Sequence, residues 1–195
     1  MKKGTLVFYI ALASAVNAAF LAFFVLVLCL GNEQPYLALF ITFLMLAYHL
    51  NVRLFIGAFA DLFKNRIDVD KPRHRISEDE FKRLETLKVK KWKKLFPALS
   101  PEQFALDESN EVGSIIRSCI NAERIHWLCF FLGLGAIPLG CAVSLSEWWL
   151  YLTISLLASL LIELPLILIQ RYNRYRLYRL KDRIDKRKER SGGTL

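Results

Sequence analysis

Apolar and polar positions are strongly segregated along the chain. Residues 6–30 form an apolar run without charge, with Asn17 its only strongly polar side chain. A second run, at about 36–60, holds His49, Asn51 and Arg53. A third, at about 127–144, is rich in glycine (Gly133, Gly135, Gly140) and contains Pro138, and a fourth, at about 148–169, contains Glu163 and Pro165. About 20 apolar residues cross a bilayer core as a helix. Tyr36, Trp127, Trp148, Trp149 and Tyr151 stand near run ends, as interfacial aromatics do. The pattern predicts an all-α polytopic membrane protein of four transmembrane helices. The first two lie in 1–60 and the others in 126–170, with a cytoplasmic helical insertion (61–125) between the pairs and a basic C-terminal helix (171–195) after them.

The polar segments carry patterns of their own. Ser77 and Glu80 have capping-box spacing and open a helix. On it Phe81, Leu84, Val89, Trp92, Leu95 and Phe96 fall within an arc of about 140° at roughly 100° per residue. Lys88 and Lys91 flank that arc, with Lys90, Lys93 and Lys94 further round. This predicts an interfacial helix with its apolar face among lipid headgroups; the other reading is a surface helix packed on the rest of the protein. Beyond Pro97, Ser100-Pro101 with Gln103 marks another helix start, and a helix from about Glu111 runs into the third span. In the tail, Leu177, Leu180 and Ile184 at helical spacing extend the fourth span beside an anionic leaflet.

Composition and charge sharpen this picture. With 195 residues, 54% hydrophobic, a mean hydropathy of +0.31 and yet 23% charged, the chain fits neither a soluble core nor a disordered basic protein. No room remains for a large extramembrane enzyme domain. Of 27 Lys and Arg, two precede the first span, Arg53 lies in the second, fourteen fall in 61–125 and ten in 171–195. The links at 31–35 and 145–147 have none. The positive-inside rule then places both termini and the middle segment in the cytoplasm. The start Met1-Lys2-Lys3 with Ala13-Ser14-Ala15 has signal-peptide features, but the run continues in a way that suits an anchor. A basic tail leaving a membrane span argues against nucleic acid as a partner and for membrane lipids. Cys29, Cys119, Cys129 and Cys141 form no disulfide framework or metal-ligand spacing and are expected to be reduced.

Ionisable residues inside spans are candidates for function. Arg53 lies seven residues before Ala60 and Glu163 seven before Gln170. Both therefore fall roughly 10 Å below the cytoplasmic surface, where they are expected to pair, either as a structural ion pair or in a polar pocket. His49 shares the face of Arg53 one turn deeper, as a catalyst or as a buried histidine. Cys119, Glu123 and His126 share another face at the membrane surface, where Glu123 could orient the imidazole as a base. Gln170, Arg171, Asn173, Arg174 and Arg176 form either a basic stop-transfer flank or a guanidinium-rich site for phosphates or headgroups. No glycine-rich phosphate loop, serine elbow or metal motif is present, and no metal is expected.

Ala122-Glu123-Arg124-Ile125-His126-Trp127 and Gln170-Arg171-Tyr172-Asn173-Arg174 resemble the glycosyl-4,4'-diaponeurosporenoate acyltransferases, small bacterial membrane proteins assigned the terminal acylation of staphyloxanthin-type carotenoids. Val89-Lys90-Lys91-Trp92-Lys93 resembles a basic-tryptophan segment of that family, and Tyr48-His49 with Arg53 and Gly57 is similar to a segment of its broader membership. The likeness covers about residues 48–180 in order, departing at Tyr175, where proline is usual, and at Pro165. It implies a bacterial inner-membrane enzyme transferring a fatty acyl group to a sugar hydroxyl of a membrane glycolipid, a carotenoid glycoside or another lipid-linked sugar. No cofactor is implied beyond an acyl-CoA or acyl-carrier-protein co-substrate. His126, oriented by Glu123, would deprotonate the sugar hydroxyl, with His49 or Arg53 stabilising the oxyanion. Glu163 and Trp92 would contribute to substrate binding. Arg171, Arg174 and Arg176, with Lys90, Lys91 and Lys93, would hold the donor phosphates. Cys119 as an acyl-accepting nucleophile lacks an evident base. The competing class is a non-catalytic four-span protein that binds anionic lipids or organises a lipid-pathway complex.

Overall fold

The structure, a computed structural model, describes residues 3–30, 34–96, 112–143 and 148–192. The described elements are helical: α1 (Lys3–Leu30), α2 (Gln34–Phe63), α3 (Glu78–Thr86), α4 (Val89–Trp92), α5 (Val112–Val143), α6 (Trp148–Ala158) and α7 (Leu164–Gly192), with short 3-10 turns at Lys64–Arg66, Pro72–His74 and Lys93–Leu95. Among the described residues there is no strand. The helix start expected at Ser100-Pro101 and the links at 31–33 and 145–147 lie outside the described residues.

Among the described residues, two stretches are long and apolar enough to cross a membrane, Leu37–Ala60 and Trp148–Arg190, and α1 contributes a shorter one, Ala11–Leu26. The third expected span lies within α5. Between α6 and α7 the helix widens into one π turn, Ser159–Glu163, in which the Leu164 N–H bonds the Ser159 carbonyl. Pro165 stands two residues after its last position, Glu163. Proline has no N–H to donate and its ring crowds the carbonyl four residues back, and a π turn is one way a helix absorbs such an insult without ending.

The chain folds as two compact units. The first comprises Met1–Phe59 and Ile125–Leu164. Its core is Phe40, Ile41, Met45, Ala136 and Tyr151, flanked by Phe20, Phe23 and Tyr48. The glycines of the third run make this packing possible. A Cβ on Gly140 would stand 2.3 Å from the fully buried Tyr151 ring, and one on Gly133 would stand 2.9 Å from His49. Asn17, the lone polar residue of its run, exchanges amide hydrogen bonds with Asn51 (Asn51 Nδ2 to Asn17 Oδ1, 3.0 Å). The outer face of this unit is apolar, with Leu21, Phe55, Phe131 and Leu161 all well exposed.

The second unit comprises Ala60–Arg124 and Pro165–Leu195. One cluster joins Ile67, Val69, Ile116, Ile120 and Tyr178; the other joins Leu84, Val89, Ile169 and Tyr172, with Phe81 and Trp92 against it. Ser77 caps α3 by accepting from the Glu80 N–H at 3.2 Å, as its spacing predicts.

The amphipathic pattern that predicts one interfacial helix over Phe81–Phe96 is divided instead. Lys88 adopts φ 54°, a left-handed conformation that ends α3 and reaims the chain into α4. Leu84 and Val89 then enter one buried cluster with Ile169 and Tyr172 of α7 rather than a headgroup layer. Burial against α7 removes the same apolar surface from water that a bilayer would. Leu87 and Leu95 remain outside, at 55% and 78% exposure.

Candidate functional site

In the first unit the π turn sets Glu163 beside two cationic or basic groups. The His126 Nδ1–H donates to Glu163 Oε2 at 2.8 Å. Arg53 Nη2 lies 3.4 Å from Oε2 and 3.3 Å from Oε1. An ionised carboxylate only accepts, so a ring proton sits on Nδ1, and in the neutral imidazole this tautomer leaves the Nε2 lone pair as the acceptor. The Glu163 and His126 side chains are about nine-tenths buried (11% and 12% exposed), while Arg53 is at 24%. One turn before Arg53, His49 Nε2 stands 3.4 Å from Ser155 Oγ, and Ser159 Oγ donates to the Phe130 carbonyl at 3.4 Å. Gly133 leaves the space in which His49 and Ser159 meet α5. An imidazole, a carboxylate and a guanidinium are therefore brought together on α2, α5 and the π turn.

The expected Glu123–His126 pairing is corrected by this geometry. His126 takes Glu163, and Glu123 takes two arginines of the second unit: Arg171 Nη1 donates to Oε1 at 3.1 Å, and Arg174 Nη1 pairs with Oε2. Three residues apart on a helix, Glu123 and His126 share a face, but charged guanidinium donors bind a carboxylate more strongly than a neutral imidazole does. Glu80 adds a second carboxylate on Arg171 Nε, so its side chain serves α7 and not the capping box.

That network also corrects the reading of Arg171 and Arg174 as phosphate ligands, since Glu80 and Glu123 already neutralise them. The hydrogen bond from Arg171 to Glu80 raises the arginine's pKa more than burial lowers it. For Arg174, only 4% exposed, burial lowers the pKa and Glu123 opposes it. Gln170 Oε1 and Arg174 Nε are buried with no hydrogen-bond partner among the described residues.

Of the other candidates, Trp92 packs into the apolar cluster and donates its indole N–H to the Leu87 carbonyl at 2.9 Å, a structural use. Lys90 and Lys91 are exposed. Lys93, Asn173 and Arg176 come together in an open pocket of 710 Å³ that Arg179 and Arg183 also line. Sequence reasoning missed the last two, although Arg176, Arg179 and Arg183 at i, i+3 and i+7 already shared a helix face. Lys93 Nζ donates to Asn173 Oδ1 at 3.1 Å. Burial, then Arg176 and Lys90, lower its pKa. Cys119 reaches the pocket lining, but burial pushes its thiol up to about 12, which disfavours the thiolate that a nucleophile needs.

A family model described as glycosyl-4,4'-diaponeurosporenoate acyltransferase matches residues 68–183. The matched segment contains Glu123, His126, Glu163 and the pocket arginines; His49 and Arg53 lie outside it. Comparison with curated proteins and with solved structures gives no match.

Proposed function

The chain belongs to the glycosyl-4,4'-diaponeurosporenoate acyltransferase family, and from that premise we propose that it is a four-span membrane enzyme moving a fatty acyl group onto a sugar hydroxyl of a membrane glycolipid. The observation that carries the chemistry is the 2.8 Å contact between His126 Nδ1 and Glu163. A carboxylate on Nδ1 leaves Nε2 to take the hydroxyl proton and stabilises the imidazolium that results. The sugar oxygen then attacks the thioester carbonyl carbon. The tetrahedral oxyanion collapses, the carbon–sulfur bond breaks, and the departing thiolate recovers the proton from His126. His49, or the Arg53 guanidinium beyond its contact with Glu163, supplies positive hydrogen-bond donation to the oxyanion. The acceptor is a carotenoid glycoside or a similar glycolipid, and the donor is an acyl-CoA or acyl carrier protein.

Membrane insertion rests on the two long apolar helices, on the exposed leucines and phenylalanines of the first unit, and on the basic residues, most of which fall in 61–125 and 171–195. On this reading both termini face the cytoplasm of a bacterial inner membrane. Purified protein in lipid nanodiscs, supplied with acyl-CoA and a glycosylated carotenoid, should transfer the acyl group, and His126→Ala should lower the rate by roughly 10²–10⁴-fold. Full transfer by His126→Ala would remove the imidazole from the mechanism.

A further inference from the structure

Among the described residues, the pocket of the second unit carries more positive charge than its lining neutralises. Lys93, Arg176, Arg179 and Arg183 converge on it, and among the described residues no carboxylate lines it. Lys93 is half-buried, and among the described residues its ammonium meets the Asn173 amide oxygen and the Tyr172 ring, whose centroid is 5.3 Å away. Arg179 donates to Tyr175 Oη at 3.2 Å and feels Glu78, while Arg176 and Arg183 have no carboxylate partner among the described residues. Arg171 and Arg174 on the same helix are the more buried and hold Glu80 and Glu123, whereas among the described residues no ion pair joins a carboxylate to the exposed Arg176, Arg179 or Arg183. Lys93 is partly buried and the three arginines beside it are exposed; like charges gathered on one wall repel one another, and an anion joining them relieves that repulsion. Phe81, Ile115, Cys119, Leu177 and Leu180 give the lining an apolar side, which suits an anion whose carrier has a partly apolar arm.

We propose that this pocket binds the phosphorylated end of a coenzyme-A-type acyl donor. Phosphate oxygens meet Lys93, Arg176 and Arg183, the amide-bearing arm meets Asn173 and Tyr175, and the chain lies along Phe81 and Leu180. Several cations match the several phosphate charges of a nucleotide-type donor better than the single phosphodiester of a carrier-protein arm. The volume falls within the usual range for small-molecule sites, about 300–1,000 Å³. The identity of the donor rests on the acyl-transfer reading above; the affinity for a phosphate ester stands on the pocket itself. An anionic phospholipid headgroup offers the same phosphate chemistry, and the test separates the two.

Coenzyme A titrated into the full-length protein in phosphatidylcholine nanodiscs should bind saturably. Arg176→Gln and Lys93→Gln should each weaken it about tenfold or more, with Arg176→Lys intermediate and His126→Ala unchanged. With acyl-CoA as substrate the same Gln variants should raise KM and leave kcat near the parent value. The proposal is overturned if coenzyme A fails to bind, if it binds the Gln variants as tightly as the parent, or if nanodiscs containing phosphatidylglycerol displace it, which would give the pocket to a lipid headgroup. Pocket-dependent binding without any acyl transfer would sink the transfer reading and keep the pocket. Transfer with an unchanged KM in the variants would do the reverse.

Discussion

Glu163 holds together the polar residues of the first unit, accepting from His126 Nδ1 at 2.8 Å while Arg53 sits 3.3 Å from its other oxygen. Glu163→Gln keeps the shape and removes the charge, so the imidazolium loses its stabilisation and the tautomer its anchor. Transfer should fall by roughly 10²–10⁴-fold, measured as kcat with the glycolipid acceptor; an unchanged kcat would show that the carboxylate only holds the bundle. The pairing of Arg53 with Glu163 was legible because both stand seven residues from the ends of parallel apolar runs. The partner of His126 was not, since helical spacing says which side chains can meet and not which competitor wins. A different residue reports on stability. His74 is buried, its Nε2 has no hydrogen-bond partner among the described residues, and burial followed by Arg124, Arg73, Arg174 and Lys71 lowers its pKa from 6.5. The unfolded chain therefore takes up this proton first as pH falls below 6.5, and stability drops with it. The unfolding midpoint should decline from about pH 7 to about pH 5, and His74→Gln should lessen that decline; an identical slope in the variant would assign the decline to other groups.

At the scale of elements, the break at Lys88 decides how the amphipathic segment is used. A period of 3.6 residues is continuous from Phe81 to Phe96, and nothing in it announces a non-glycine residue at φ 54°. The turn is held by the residues on either side of it: Val89 is fully buried, and Trp92 returns its N–H to the Leu87 carbonyl. Left-handed backbone costs a side-chain-bearing residue roughly 1–2 kcal/mol. Lys88→Gly should recover about 0.5–1 kcal/mol of that after its larger unfolded-state entropy is counted, read as a rise in the unfolding midpoint. A fall would mean that Lys88 contributes a contact through its side chain. The helix cap at Ser77 and the extension of the fourth run into a basic helix were legible, because both depend on neighbours in sequence. The π turn was not, because Pro165 calls for some local adjustment without choosing which.

At the scale of the whole molecule, the charge of +9 resolves into a mixed segment and a basic tail. Residues 61–125 have 14 basic against 12 acidic side chains, and several of these are neutralised inside the second unit, as Arg75 is by Asp182 at 3.1 Å. A reporter that is active only in the cytoplasm should therefore work when fused after Leu195 and fail when inserted at 145–147, where no Lys or Arg lies. Activity at both positions would refute the four-span topology. The sequence by itself determined the helical class, the apolar runs, the confinement of most basic residues to two polar segments, and the local caps. All of these rest on periodicity, length and charge bias, quantities set by neighbours along the chain. The tertiary structure alone decided that His126 takes Glu163, that Glu123 is spent on Arg171 and Arg174, and that Arg176, Arg179 and Arg183 are left around an open pocket. Each is a competition among groups from distant segments, settled by which donor and acceptor packing brings into contact.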